Sequence, residues 1–352
     1  MTAVDLFDHD LPGLERVFER WGEKRFRARQ VMNWLYKKGV TRFEEMTDLS
    51  ATLRERLGRE ATAALPRIAA EQTSRDGTVK LLLELADGER VETVLMPDDG
   101  RVTQCVSTQV GCAMGCAFCR TGTLGLRRHL TAGEIVAQVV VGQARMGPDR
   151  RITNVVFMGM GEPLHNFDNV VRAFRILSSD HGLNITRRRL TVSTAGLADR
   201  IRRLPPEMLG SLAVSLNATT DEVRDRIMPV NRRFPIQELL AALRESPLPP
   251  RDRYTVEYVL LGGVNDSPDD ARRLVKLLSH VRCKVNLIAY NPHGDSPFEK
   301  PRPEAVEAFR KILLDKNFTA TLRKSRGEDI LAACGQLKAE EGGRLGARKL
   351  EC

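Results

Sequence analysis

The sequence predicts an α/β protein, a partial (β/α)6 barrel preceded by a small helical domain and a β-hairpin extension. Three observations predict it. Residues from about Leu14 to Leu57 repeat with helical periodicity. Short β-rich runs then follow, punctuated by the turn dipeptides Asp76-Gly77 and Asp87-Gly88. From Val102 onward, apolar strand-like runs alternate with amphipathic helices, which is the rhythm of a parallel sheet.

In the helical region, Leu14, Val17, Phe18 and Trp21 form one apolar stripe, and Val31, Met32 and Leu35 form another. Gly39 is placed to stop the second helix. Lys24, Arg25, Arg27 and Arg29 stand between the stripes, either as a phosphate-contacting edge or as a solvated face. The β-rich runs are Ile68 to Ser74, Thr78 to Leu85 and Arg90 to Leu95. Six barrel strands are expected at Val102 to Ser107, Asn154 to Met158, Leu190 to Ser193, Leu212 to Leu216, Thr255 to Leu260 and Val285 to Ala289. Thr131 with Glu134 and Thr219 with Glu222 each fit a capping box at a helix start. The resulting division is a helical accessory domain at 1–62, a β-rich extension at 63–101, the barrel with a carboxyl-terminal loop at 102–336, and a charged tail at 337–352. Chemistry in such a barrel belongs at the carboxyl ends of the strands, so the residues after each strand carry the candidates.

An apolar fraction of 42% with 29% charged residues gives enough material for a buried core and excludes disorder except at the ends. The 55 Lys and Arg against 46 Asp and Glu leave a charge of +9, which suits a polyanionic partner or a solvated basic face. Met1 to Gly13 carries Asp5, Asp8 and Asp10 and has no secretory pattern, and no apolar stretch reaches membrane-spanning length. A cytoplasmic protein without a membrane partner is the expectation. Clustered cysteines then read as metal-binding or catalytic, because thiols stay reduced there.

Three of the seven cysteines fall in one short run after the first barrel strand, Gly111-Cys112-Ala113-Met114-Gly115-Cys116-Ala117-Phe118-Cys119. Soft thiolates at this spacing wrap a metal cluster, and Ala113, Gly115 and Ala117 let the backbone fold tightly around it. Three thiolates on a 4Fe-4S cluster leave one iron open to bind a substrate. A zinc site is the alternative, with Cys105 or His129 as a fourth ligand, although the paired C-x2-C halves usual for zinc are absent. At the second strand end, Met158-Gly159-Met160-Gly161-Glu162-Pro163 removes side chains where a ligand must approach the backbone, and Glu162 can accept hydrogen bonds from an ammonium group.

The cysteine run and the Gly-x-Gly-Glu-Pro turn resemble the signature of the radical S-adenosylmethionine (SAM) superfamily. The resemblance narrows through Cys105-Val106-Ser107-Thr108-Gln109-Val110-Gly111-Cys112, Gly159 to Asn169, Ser193-Thr194-Ala195-Gly196 and Asp329-Ile330-Leu331-Ala332-Ala333-Cys334-Gly335-Gln336. These stretches are similar to the dual-specificity rRNA and tRNA adenine-C2 methyltransferase family, from about Gly22 to Gln336. The resemblance implies a radical SAM barrel with one 4Fe-4S cluster on Cys112, Cys116 and Cys119. It also implies two SAM molecules per turnover, an electron donor such as a flavodoxin system, and 23S rRNA and tRNA as substrates.

Adenine C2 is an electron-poor carbon with no nucleophilic character, so polar attack on a SAM methyl fails there and a carbon radical is needed. By resemblance, Cys334 is methylated by one SAM, and a radical from the second removes a hydrogen from that S-methyl group. The methylene adds to the base, Glu92 accepts the C2 proton, and Cys105 resolves the adduct through a disulfide with Cys334. The SAM positions implied are Gly161, Glu162, Ser193, Ser215, Leu216, Asn217 and Asn291. Asn217 departs from the His that many members carry, and Tyr290 stands where they have Trp. Asn keeps donor and acceptor capacity but cannot titrate. Arg187, Arg188, Arg189, Arg232 and Arg233 are candidates for an RNA path. The rival readings are a related adenine-C8 methyltransferase, against which Val110 stands where that relative has Cys, and a zinc-stabilised RNA-binding protein without catalysis. Cys283 and Cys352 receive no role.

Overall fold

The computed structural model describes residues 3–294 and 296–339, so the tail beyond residue 339, with Cys352, lies outside it. Near the amino terminus, Val4–Asp5 (β1) pairs in parallel with Ala61–Thr62 (β2), a two-residue ladder too short to leave a sequence pattern. Between them lie Leu11–Arg20 (α1), Phe26–Met32 (α2) and Ala51–Glu60 (α3). The Asp10 carboxylate caps α1 by accepting from Gly13 N at 3.0 Å, which satisfies a backbone donor the helix cannot. Both apolar stripes face inward: Leu14, Val17 and Phe18 are buried with Val31, Met32 and Leu35. Gly39, at φ +66°, ends the widened turn Asn33–Lys37 that follows α2. Asp8 fixes this unit to the barrel, accepting from Gly133 N at 3.1 Å and facing Arg172 at 3.3 Å.

Arg67–Thr73 (β3), Val79–Glu84 (β4) and Arg90–Asp98 (β5) form the antiparallel meander that the Asp-Gly turns require, with Gly77 and Gly88 at positive φ. The meander is not a separate layer. β5 pairs with Arg101–Cys105 (β6), the first barrel strand, with Val94 opposite Cys105, so extension and barrel share one ten-stranded sheet. Gln109–Cys112 (β7) and Gly125–His129 (β8) make a separate antiparallel ribbon.

The chain then runs through Ala132–Met146 (α4), Asn154–Phe157 (β9), Phe167–Ser178 (α5), Leu190–Thr194 (β10), Ala198–Ile201 (α6), Pro206–Leu209 (α7) and Leu212–Ser215 (β11). It continues through Asp221–Ile227 (α8), Ile236–Glu245 (α9), Tyr254–Leu260 (β12), Pro268–Leu278 (α10), Cys283–Ala289 (β13), Pro303–Asp315 (α11) and Ala320–Arg323 (β14). Strands β6, β9, β10, β11, β12, β13 and β14 are parallel and adjacent in chain order. The sequence reading counted six of them. It missed β14 because only Ala320 of its four residues is buried, leaving no apolar alternation to detect. Among the described residues no helix is long and apolar enough to cross a membrane.

The capping box at α4 is present: Thr131 Oγ1 accepts from Glu134 N at 3.1 Å, and the Glu134 carboxylate accepts from Thr131 N at 2.9 Å. The box expected at Thr219 and Glu222 is not formed. Thr220 caps α8 instead, accepting from Val223 N at 3.4 Å, while Thr219 Oγ1 donates to the buried Asp270 at 2.7 Å. Adjacent threonines made the register ambiguous, and a buried carboxylate with need of a donor decided it.

α4 lies against the outer face of the β5–β6 pair through a buried polar network. Gln104 Nε2 donates to Thr93 Oγ1 at 2.9 Å and to Gln138 O at 2.7 Å, and Gln138 in turn exchanges two bonds of 2.9 Å with the Ser107 backbone. Gly142 on α4 leaves room for the Gln104 amide, since a Cβ there would stand 2.7 Å from Nε2 and 2.8 Å from Cδ. Gly142→Ala is therefore expected to lower stability by about 1–3 kcal/mol, against the ~1 kcal/mol helix gain an exposed site would give. Urea unfolding checks the sign.

Candidate active site

Cys112 is the last residue of β7, so the cysteine run begins inside a strand. Gly111 has φ +76°, and a Cβ there would press into the Gly125 backbone of β8. Cys116 and Cys119 follow in a tight turn, with Cys119 N bonded to Cys116 O at 3.1 Å and Gly122 N to Cys119 O at 3.0 Å. Ala117 N donates to Ile227 O at 2.9 Å, tying the turn to the end of α8. All three cysteines, with Met114 and Phe118, line one cavity. The cavity opens at the carboxyl ends of β9–β13.

The donor set fits an iron–sulfur cluster. Burial pushes all three thiols up, and Cys112 and Cys116 are pushed further by neighbouring cysteines. Iron would supply the positive charge that makes thiolates stable there. Among the described residues, no three His, Cys, Asp or Glu side chains gather closely enough to hold one metal ion. Cys105 and His129, the fourth ligands a zinc site would draw on, do not line the cavity of the three cysteines, which disfavours the zinc alternative.

The opposite wall suits SAM. Gly161 has φ +102°, and a Cβ there would sit 2.6 Å from the Gln109 Cβ, so only glycine fits. The Glu162 carboxylate accepts from Leu164 N at 2.9 Å and Ala195 N at 2.7 Å, and burial raises its pKa to about 7. Ser193, Ser215 and Asn217 line the same cavity. Asn217, at φ +56°, accepts from Val259 N through Oδ1 at 2.8 Å, so this departure from His serves the backbone of β12. Asn291 Nδ2 donates to Ser325 Oγ at 2.8 Å, whereas its buried Oδ1 has no hydrogen-bond partner among the described residues. An unpaired buried acceptor on a cavity wall suits a ligand donor. Leu216 is the exception, since it does not line the cavity. Its carbonyl accepts from Arg224 Nε at 3.0 Å and its N–H donates to Glu257 O at 3.0 Å.

Cys105 and Cys334 converge. Both line a smaller adjoining cavity with Met96, Met158 and Arg323, and Cys334 lines the main cavity too. Cys105 is buried, which with Cys334 nearby pushes its thiol up to about 12. Cys334 is exposed on a loop fixed on its carboxyl-terminal side: Arg120 N donates to Gly335 O at 2.8 Å, and Thr121 Oγ1 to Leu337 O at 2.7 Å. The cysteine turn and the Cys334 loop are thus bonded directly.

Glu92 faces inward, not outward as a lone strand residue would. It lines a third cavity with Gln72, Lys80, Arg120, Asp329 and Lys338, separate from both cysteine cavities. Lys338 N donates to its Oε2 at 2.7 Å.

Three residues of the site escaped the sequence reading. Glu257 is buried in β12, lines the main cavity, accepts from Ser193 Oγ at 3.1 Å and faces Arg323 at 3.8 Å. A carboxylate inside the apolar run Tyr254–Leu260 was the available signal. Arg323 went with the missed strand β14. Arg224, wholly buried on α8, donates to five oxygens, and nothing in a charged helix segment distinguished it.

The arginine candidates separate. Arg187, Arg188 and Arg189 are exposed just before β10, at the amino end of the barrel and opposite the cavity, which removes them from a path to the site. Arg232 and Arg233 are exposed beyond α8, on the side where Pro229 meets Gly115 of the cysteine turn. In the helical unit, Arg25 pairs with Glu19, Arg29 lies 3.7 Å from Glu15, and Arg27 donates to Gln30 Oε1 at 2.8 Å.

Residues 4–63 match the ribosomal RNA large subunit methyltransferase N-terminal domain, and residues 106–278 match the radical SAM superfamily. The dual-specificity RNA methyltransferase RlmN of Geobacter sulfurreducens is 52% identical over 350 residues, covering 99% of this chain and 94% of that protein. The same enzyme of Anaeromyxobacter dehalogenans is 53% identical over 328 residues, covering 91% and 88%. The crystal structure of a radical SAM methyltransferase from Sphaerobacter thermophilus superposes with a TM-score of 0.88 at 45% identity, covering 96% of this chain and 100% of that one. With both domains matched in order and about half of all residues shared along nearly its whole length, the chain belongs to the RlmN family of dual-specificity RNA methyltransferases, within the radical SAM superfamily.

Proposed function

We infer that the protein methylates C2 of adenine in 23S rRNA and tRNA, with Cys334 as the covalent carrier of the methyl group. The observation that carries this reading is the sharing of one cavity by Cys105 and Cys334, with Cys334 also lining the cavity of the three-cysteine turn. When bound on Cys112, Cys116 and Cys119, the 4Fe-4S cluster with SAM supplies a carbon-centred radical able to remove hydrogen from a methyl group. Gly161, Glu162, Ser193, Ser215, Asn217 and Asn291 would hold SAM, with Glu162 and the unpaired Asn291 Oδ1 accepting from its donors. Leu216, whose N–H and carbonyl are both bonded within the protein, would support the wall without touching SAM.

Cys334 takes a methyl group from one SAM, its sulfur forming the new bond as the sulfonium releases it. After hydrogen removal with a second SAM, its methylene bonds to C2. Glu92 then takes the C2 proton, and the electrons of that C–H bond stay on the base. Cys105 bonds to the Cys334 sulfur as the carbon–sulfur bond breaks, the odd electron passes back to the electron-transfer system, the freed methylene takes up a proton to become the methyl group, and cellular thiols reopen the disulfide. For Glu92 to meet a base held on Cys334, the segment carrying Lys338 must release its Oε2. The target adenine leaves its stack to enter, and the helical unit with Arg232 and Arg233 contacts phosphates. A flavodoxin-type donor supplies electrons in the cytoplasm.

The test is an anaerobic reaction of reconstituted protein with transcribed rRNA and tRNA fragments and SAM, followed by digestion and mass spectrometry. A methyl group at adenine C2 is expected. A C8 methyl, or stoichiometric zinc in place of iron and sulfide, would overturn the reading.

A further inference from the structure

We propose that Lys80 is a positioning residue that holds Glu92 in its proton-accepting, ionised form. The proposal rests on the role assigned to Glu92 above. In the β4–β5 register Lys80 pairs with Val94 and Leu82 with Glu92, so Lys80 and Glu92 are diagonal neighbours on one sheet face. The Lys80 ammonium lies 3.4 Å from Glu92 Oε1, with only 12% of the lysine side chain and 7% of the glutamate exposed. Lysine is among the residues least often buried, and a strand between Gln72 and Val94 favours a β-branched or aromatic side chain. Among the described residues Lys80 has no other ion-pair partner, so Glu92 is what its burial serves.

The electrostatics point the same way. Burial is the largest influence on Glu92 and pushes its pKa up, favouring a protonated acid that cannot accept a proton. The charged groups facing it are Lys80 from β4, Arg120 after the cysteine turn, Asp329 from the turn before Cys334, and Lys338 through its backbone N–H. Lys80 is the strongest of the opposing influences, ahead of the Lys338 N–H and of Arg120. When the base displaces Lys338, that N–H is lost and the weight on Lys80 grows.

The test is single-turnover methylation from about pH 6 to about pH 9, comparing the wild type with Lys80→Met, Lys80→Gln and Lys80→Arg. Removing the ammonium raises the Glu92 pKa, so less carboxylate is present at neutral pH. The expected result is a rate midpoint shifted upward by about one pH unit or more, hence about tenfold slower turnover on the acid side with recovery in alkali. Lys80→Arg should restore the wild-type midpoint. Iron content and thermal unfolding identify any variant that fails to fold, and Lys80→Gln, which keeps a polar end on a shorter stem, serves if Lys80→Met does. An unshifted midpoint, or a loss equal at all pH values, would overturn the proposal. Glu92→Gln separates the premise: if that variant still turns over, the proton-acceptor assignment itself is wrong. If it is inactive while the Lys80 midpoint stays put, only the pairing fails.

Discussion

Cys334→Ala is expected to lower RNA methylation by at least about a thousandfold while leaving fold and iron content unchanged. The size follows from the proposed chemistry: without a sulfur to carry the methyl group there is no covalent route to C2, and removal of a covalent carrier costs orders of magnitude. The selectivity follows from the structure. Cys334 is exposed, and its loop is held by bonds from Arg120 N and the Thr121 hydroxyl to the Gly335 and Leu337 carbonyls, which the substitution does not touch. Surface substitutions of this kind change stability by about 0.5 kcal/mol or less. Mass spectrometry of the protein provides a second readout, because wild-type protein treated with SAM gains a methyl group at Cys334 and the variant gains none. Cys105→Ala should differ in kind. It leaves carrier and radical chemistry in place but removes the resolving thiol, so a protein–RNA adduct that survives denaturing gels should accumulate. Methylation retained by Cys334→Ala would remove the carrier from the mechanism.

What the sequence disclosed and what it withheld follow from the range of the interactions involved. Strand periodicity, Asp-Gly turns and the Thr131 capping box are local, and each appears where the residues put it. The cysteine run and Gly161-Glu162 are also local, since a ligand approaching backbone demands glycine within a few residues of the contact. β14 was hidden because its four residues are mostly exposed, and its place in the sheet is set by pairing with β13. Glu92 was legible only through resemblance. Its inward face depends on the register with β4 and on a cover from residues 329–338, both of which are tertiary facts. Glu257 and Arg323 meet across β12 and β14, and no sequence spacing brings such residues together. The exposed arginines Arg187 to Arg189 failed as path residues for a topological reason: they precede their strand, and the site lies beyond the strands.

Arg224→Met is expected to destabilise the protein by roughly 3 kcal/mol or more, the largest stability effect predicted from this structure. The guanidinium is wholly buried and donates to Leu216 O at 3.0 Å, Asn231 Oδ1 at 2.9 Å, Phe234 O at 3.2 Å, Ala195 O at 2.7 Å and Ser215 O at 3.3 Å. Burial lowers its pKa to about 10 against the opposing pull of Cys116, Asp221 and Asp225, still high enough to keep it charged at neutral pH. Met is of similar size but removes the donor of Asn231 Oδ1, Phe234 O, Ala195 O and Ser215 O, while Leu216 O keeps Ala218 N at 2.8 Å, and each buried acceptor left unsatisfied costs about 1–3 kcal/mol. Partial relaxation toward water or other donors reduces the sum to the stated figure. Arg224→Lys should recover little, because one compact ammonium cannot span five acceptors that a planar fork reaches together. The effect should extend to ligand binding. Ala195 and Ser215 stand at the ends of β10 and β11 on the wall of the main cavity, and Arg224 is the side chain that bonds both carbonyls. Urea unfolding of the reconstituted protein, with SAM affinity measured on the same samples, should therefore show stability and affinity falling together. Unchanged stability would mean that the orphaned oxygens find other donors, and that the two strand ends are held by the sheet alone.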